Sequence, residues 1–169
     1  MGNPTVKAWA ATAVFSLVGL WTLVYRAPQA PELLPQTIFY AVLVLNTFFS
    51  IRFYSALQPK NTSQLFIDAV LVVLYATLAL SLGRPVAFAY AALWLFLMAP
   101  QKYALMLELI PHTTLLRNKI LIDLSGTVLC AAILGATIAG YSLAGAWALA
   151  ALFALANVYF LLIRPMYRL

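Results

Sequence analysis

Runs of roughly 18 to 23 apolar residues recur along this chain with scarcely a charge inside them, and that spacing leaves few folds open. A run of about 20 residues is what an α-helix needs to cross ~30 Å of hydrocarbon. Such runs are too long for strands and too uniformly apolar for the one-sided stripe of a soluble helix. Of the 169 residues, 65% are hydrophobic and 8% are charged, whereas an ordinary soluble domain carries about 25% charge. A globule of this length has a single core and cannot keep so much hydrocarbon out of water. We therefore expect an all-α polytopic integral membrane protein, a compact bundle of six transmembrane helices forming one domain over residues 1–169.

The expected helices lie near residues 7–25, 36–57, 64–82, 85–107, 119–140 and 142–163. Pro28, Pro31 and Pro35 break the chain after the first. Residues 58–63 have turn chemistry, with Thr62 or Ser63 as the expected cap of the third helix. Gly83, Arg84 and Pro85 make a minimal hairpin, so the third and fourth helices are antiparallel neighbours. Inside the fourth, Pro100 removes one backbone hydrogen bond and predicts a kink just ahead of Lys102, which makes it a hinge candidate. The first apolar run, 8–25, is longer than a signal-peptide core and is followed by Arg26, so a retained helix is expected.

Ten Lys and Arg against four Asp and Glu give a net charge of +6. The basic residues stand singly at the ends of apolar runs, which suits topology signals and contact with anionic lipid, not nucleic acid. Six helices place Lys7, Arg52, Lys60, Lys102, Arg117, Lys119, Arg164 and Arg168 on one side, with only Arg26 and Arg84 on the other. Eight against two predicts cytoplasmic termini, in a plasma or bacterial inner membrane. Asn61 opens a formal glycosylation sequon that this topology leaves unmodified. Cys130 is the single cysteine, and His112 has no second histidine nearby, so no disulfide, metal or other cofactor is expected.

Chemistry is concentrated where the apolar text is interrupted. Residues 94–123 hold Pro100, Gln101, Lys102, Glu108, His112, Arg117, Lys119 and Asp123, and earlier helices add Asn46, Arg52 and Asp68. Two stretches resemble each other: a basic residue late in one helix, then an apolar residue, Ile and Asp opening the next. The similarity predicts a parallel repeat that pairs Arg52 with Asp68 and Lys102 with Asp123 in a charged layer at the inner leaflet. An ionised carboxylate in low dielectric is costly unless paired, so one reading is that the layer only locks helices together. The other is a route for an ion or small solute through Asn46, Arg52, Asp68, Lys102 and Asp123. Asp123, Thr127, Cys130 and Thr137 share a face of the fifth helix. Ala132, Ala136 and Gly140, and then Ala146, Ala150 and Ala154 on the sixth, form small-residue stripes suited to helix packing, a homo-oligomer or a membrane-protein partner.

Pro-Gln dipeptides occur at 28–29, 35–36 and 100–101, and two of them end helices that would head three-helix units. In this the chain resembles the PQ-loop and SWEET type of sugar and amino-acid carriers. The resemblance implies two three-helix bundles, but six helices without a linker helix would make the second unit inverted. The functional expectation is a small carrier or channel for an ion or small solute. The alternative is a non-catalytic membrane subunit, anchor or assembly partner of a larger complex. No catalytic residue is expected: Asp68 and Asp123 lack the Gly-Xaa-Gly-Asp context of intramembrane aspartyl proteases, and no activated Ser or Cys arrangement is readable.

Overall fold

The computed structural model describes residues 3–55, 61–109 and 114–163. Among these, six α-helices and no strands occur: α1 (Pro4–Tyr25), α2 (Leu33–Tyr54), α3 (Thr62–Leu80), α4 (Pro85–Leu109), α5 (Thr114–Ile138) and α6 (Ser142–Val158). A π-helical turn over Tyr159–Ile163 extends α6. All but α4 are long and apolar enough to cross a membrane, α6 doing so together with its π turn. α4 has the length, at 25 residues, but Pro100, Gln101 and Lys102 dilute its apolar run. Large apolar side chains cover the outside, Leu17, Val24, Phe66, Val128 and Leu155 among them. This apolar helical bundle is compatible with a multi-pass membrane protein.

The helix ends depart from the sequence expectation for local reasons. α2 begins at Leu33 and takes Pro35 into its first turn, where a missing N–H costs nothing because no intrahelical carbonyl awaits it. α3 is capped by Asn61, not by Thr62 or Ser63: the Asn61 carboxamide accepts a hydrogen bond of 2.8 Å from the Gln64 N–H. α5 begins at Thr114, five residues earlier than expected, so Arg117 and Lys119 are helical. α4 runs through Pro100, which is buried, as one continuous helix. Lys60, His112, Arg164 and Arg168 lie outside the described residues.

Packing closes the helices into a ring in the order α1, α2, α6, α5, α4, α3 and back to α1. α2 and α3, consecutive in sequence, are not main neighbours. Inside the ring, Phe39 meets Phe153 at 4.5 Å, Phe88 at 5.5 Å and Phe96 at 6.3 Å between ring centroids. These rings fill the middle of the bundle with hydrocarbon. The most extensive interface joins α4 and α5. Gly126 permits it, since a Cβ there would lie 2.6 Å from a Phe96 ring carbon. On α5 the face expected from spacing does point inward, with Asp123, Cys130 and Thr137 buried. Ala132 on its other stripe and Gly140 in the turn just past its end are exposed, whereas Ala146 and Ala150 of α6 are taken up in the bundle.

One end of the ring is stapled by the first turn of α2. The Gly83 N–H in the α3–α4 hairpin donates to the Gln36 side-chain oxygen at 2.6 Å, and the Ser142 hydroxyl at the start of α6 donates to the Glu32 carboxylate. Gly83 has φ +77°, and a Cβ there would fall 2.8 Å from the Pro28 ring and carbonyl. A left-handed conformation alone costs an L-residue about 1–2 kcal/mol. Gly83→Ala is therefore expected to lose at least about 2 kcal/mol once the Pro28 contact is added, read as a lowered midpoint of unfolding in mixed micelles.

Candidate functional site: a chamber at the charged end

Successive helices alternate direction, so α1, α3 and α5 begin where α2, α4 and α6 end. That shared end carries Lys7, Arg52, Asp68, Lys102, Arg117, Lys119 and Asp123. Because the Gly83 hairpin makes α3 and α4 antiparallel neighbours, a residue near the start of α3 faces one late in α4. Lys102 Nζ accordingly donates to Asp68 Oδ1 at 2.9 Å. Asp123 is served from its own helix, one turn back, by Lys119 Nζ at 3.0 Å. The pairing expected from the internal repeat is thus overturned. Arg52 is exposed, with its guanidinium 5.7 Å from the Phe53 ring centroid, because α2 packs on α1 and α6 instead of α3.

The two pairs sit in different surroundings. The side chains of Lys102 and Asp68 are 11% and 37% exposed, those of Lys119 and Asp123 only 6% and 4%. The Lys119 ammonium is also 4.9 Å from the Phe160 ring centroid and 5.5 Å from that of Tyr103. Both rings belong to a second apolar cluster with Tyr54, Met106 and Leu116. Aromatic faces attract a desolvated ammonium, and Asp123 supplies the counter-charge without which its burial would be prohibitive.

Above the Phe39 cluster the ring does not close on itself. A cavity of about 580 Å³ opens at the charged end, walled mainly by α1, α2, α3 and α4. Lys7, Ser55, Asp68, Lys102, Lys119 and Asp123 line its charged part, and Phe15, Leu43, Leu95, Phe96 and Phe153 its apolar part. Asn46 lines it too, eight residues before the end of α2 and so about 12 Å inside that helix end. Two side-chain bonds cross between helices at its margin: the Thr47 and Tyr75 hydroxyls are 2.6 Å apart, and those of Ser50 and Tyr103 are 3.3 Å apart. Tyr75 also stacks on Phe15, with centroids 4.7 Å apart.

Three buried atoms of lining residues find no hydrogen-bond partner among the described residues: Asn46 Oδ1, Ser55 Oγ and Asp123 Oδ2. Leaving a buried acceptor unmet costs about 1–3 kcal/mol. All three oxygens are shielded from solvent behind the chamber wall. The chamber therefore unites Asn46, Asp68, Lys102 and Asp123 from the expected route and leaves Arg52 outside. Pro100 lies two residues before Lys102 and does not line it. Lys119, Thr47, Ser50 and Tyr103 were missed, although the four-residue spacing of Lys119 and Asp123 and of Asn46 and Ser50 marks shared helix faces.

Compared with protein-family models, curated proteins and solved structures, the chain matches none.

If Asp123 needs Lys119, removing one partner should cost more than removing both. Lys119→Met is expected to destabilise the protein by about 3 kcal/mol, and Lys119→Met with Asp123→Leu to restore most of that loss. Equilibrium unfolding of the three forms in the same micelles checks it.

Proposed function

We propose that the protein is a small carrier or channel for an ion or small solute, that the chamber is its solute site, and that the charged end faces the cytoplasm. The observation that carries this reading is the cavity of about 580 Å³ shared by Asn46 and both ion pairs. A bundle serving only as an anchor gains nothing by setting amide, hydroxyl and carboxylate groups around open volume. Each such group pays a desolvation cost that hydrocarbon packing would avoid. The excess of basic residues at the chamber end supports the orientation.

In this mechanism Asp68 and Lys102 form an outer pair, met first by an entering solute, and Asp123 with Lys119 a deeper one. A charged or hydrogen-bonding solute replaces part of each pair's mutual attraction with its own. Pro100 leaves the Phe96 carbonyl without its helical N–H donor in the turn just ahead of Lys102 and Tyr103, which lowers the cost of swinging the segment that carries them. The subunit reading would instead use the exposed Ala132 side of α5 to receive a partner helix.

In proteoliposomes, Asp68→Asn and Asp123→Asn are expected to cut flux at least tenfold while the melting transition is kept. Flux is read with a pH-sensitive dye for protons and by vesicle swelling for a size-graded set of neutral, anionic and cationic solutes. A thiol introduced by Leu71→Cys on the chamber wall, with Cys130→Ser, is expected to react with an impermeant maleimide supplied at the charged end. Flux no greater than in protein-free vesicles, together with an unreactive thiol, would leave the assembly role.

A further inference from the structure

We infer that the chamber takes its ligand sideways from the surrounding leaflet: a single-chain amphiphile with an anionic head, entering through a slot between α1 and α3. The inference rests on the reading of the chamber as a binding site and names what the site binds. Its first support is where the chamber wall is missing. Val14 and Val72 both line the cavity, yet they are 56% and 53% exposed. Val14 lies ten residues after the first residue of α1 and Val72 ten after the first of α3, about 15 Å inside the helix ends. A shaft open only at its end would bury them at that depth. Ala10, one turn before Val14, also lines the cavity and is exposed. Beyond these residues the Phe15–Tyr75 stack, at 4.7 Å, closes α1 onto α3. The opening is thus a slit along two helices, facing the depth where acyl chains lie.

The second support is how polarity is distributed inside. The apolar floor of Phe15, Leu95, Phe96 and Phe153 suits a chain and offers nothing to a strongly hydrated solute. The charged part holds three ammonium groups, Lys7, Lys102 and Lys119, against two carboxylates, Asp68 and Asp123. With both carboxylates engaged by Lys102 and Lys119, Lys7 at the rim makes no ion pair among the described residues. One negative charge on the ligand balances the set. Arg52, exposed at the same end, adds to the attraction for an anionic head.

The test uses Leu71→Cys with Cys130→Ser in nanodiscs of zwitterionic lipid and follows modification of the introduced thiol by a water-soluble maleimide. Three probes with the same twelve-carbon chain are compared: the sulfonate, the alcohol and the trimethylammonium salt. The sulfonate is expected to slow modification at least tenfold, the other two less than twofold, and butanesulfonate not at all. Lys7→Ala should raise the sulfonate concentration needed at least fivefold. Ala10→Trp, which narrows the slot from an exposed position, should delay the onset of protection at least tenfold, measured against that variant's own rate in the absence of amphiphile. Equal or better protection by the ammonium salt or the alcohol overturns the anionic head. Protection by butanesulfonate overturns the requirement for a chain, and an unchanged onset in Ala10→Trp overturns lateral entry. In each of those cases a reactive thiol leaves the chamber reading standing. A thiol that reacts in no condition removes both.

Discussion

An ammonium group withdrawn from water has to be met by a carboxylate or by aromatic faces, and this requirement orders the charged end of the bundle. Lys102 is met across a helix boundary, which sets how α4 lies against α3. Lys119 is met within α5 and then by two rings from α4 and the turn after α6. That cluster gathers the ends of α2, α4 and α6 about the start of α5. Buried ion pairs contribute little net stability compared with hydrocarbon of the same volume. Their effect here is on register: helices whose outer surfaces are almost uniformly greasy slide and rotate at small cost, and a mismatched lysine makes the wrong arrangement expensive.

The two halves of the bundle solve different problems. Away from the charges, Phe39, Phe88, Phe96 and Phe153 interlock ring against ring. Toward the charges, hydroxyl pairs replace ring contacts, with Thr47 to Tyr75 and Ser50 to Tyr103 bridging helices that stand further apart. α1 contributes little to the interior, with Ala8, Phe15, Gly19 and Thr22 its buried residues. It covers the chamber on one side without filling it.

The helices were legible because the apolar runs match the span length and the Gly83 hairpin has its own turn chemistry. Their ends were less so, since Pro35 and Asn61 act within a single turn, where neighbouring candidates look alike. Inward faces were legible on α5 through Asp123, Cys130 and Thr137. The pairing of charges was not. Sequence proximity favoured Arg52 with Asp68, but partner choice depends on ring order, and nothing local in α2 says that its neighbours are α1 and α6. Lys119 was hidden for a related reason: at a helix start it looks like a topology signal, and only the packing of Tyr103 and Phe160 over it shows that it is buried. The unusual slot between α1 and α3 has no sequence signature, because Val14 and Val72 are ordinary residues for a lipid-facing surface.

The Gln36 and Glu32 staples give the molecule an uneven stiffness. Where they tie the α3–α4 hairpin and the start of α6 to α2, displacement of any one helix breaks a bond to a second element. Among the described residues, the opposite rim has no comparable hydrogen-bonded crosslink between α1 and α3. Thermal motion should therefore splay the mouth about a nearly fixed base, and in this conformation the cavity is a cul-de-sac. Through-passage would require parting the staples and the Phe39 cluster together, a cooperative event much costlier than widening the rim.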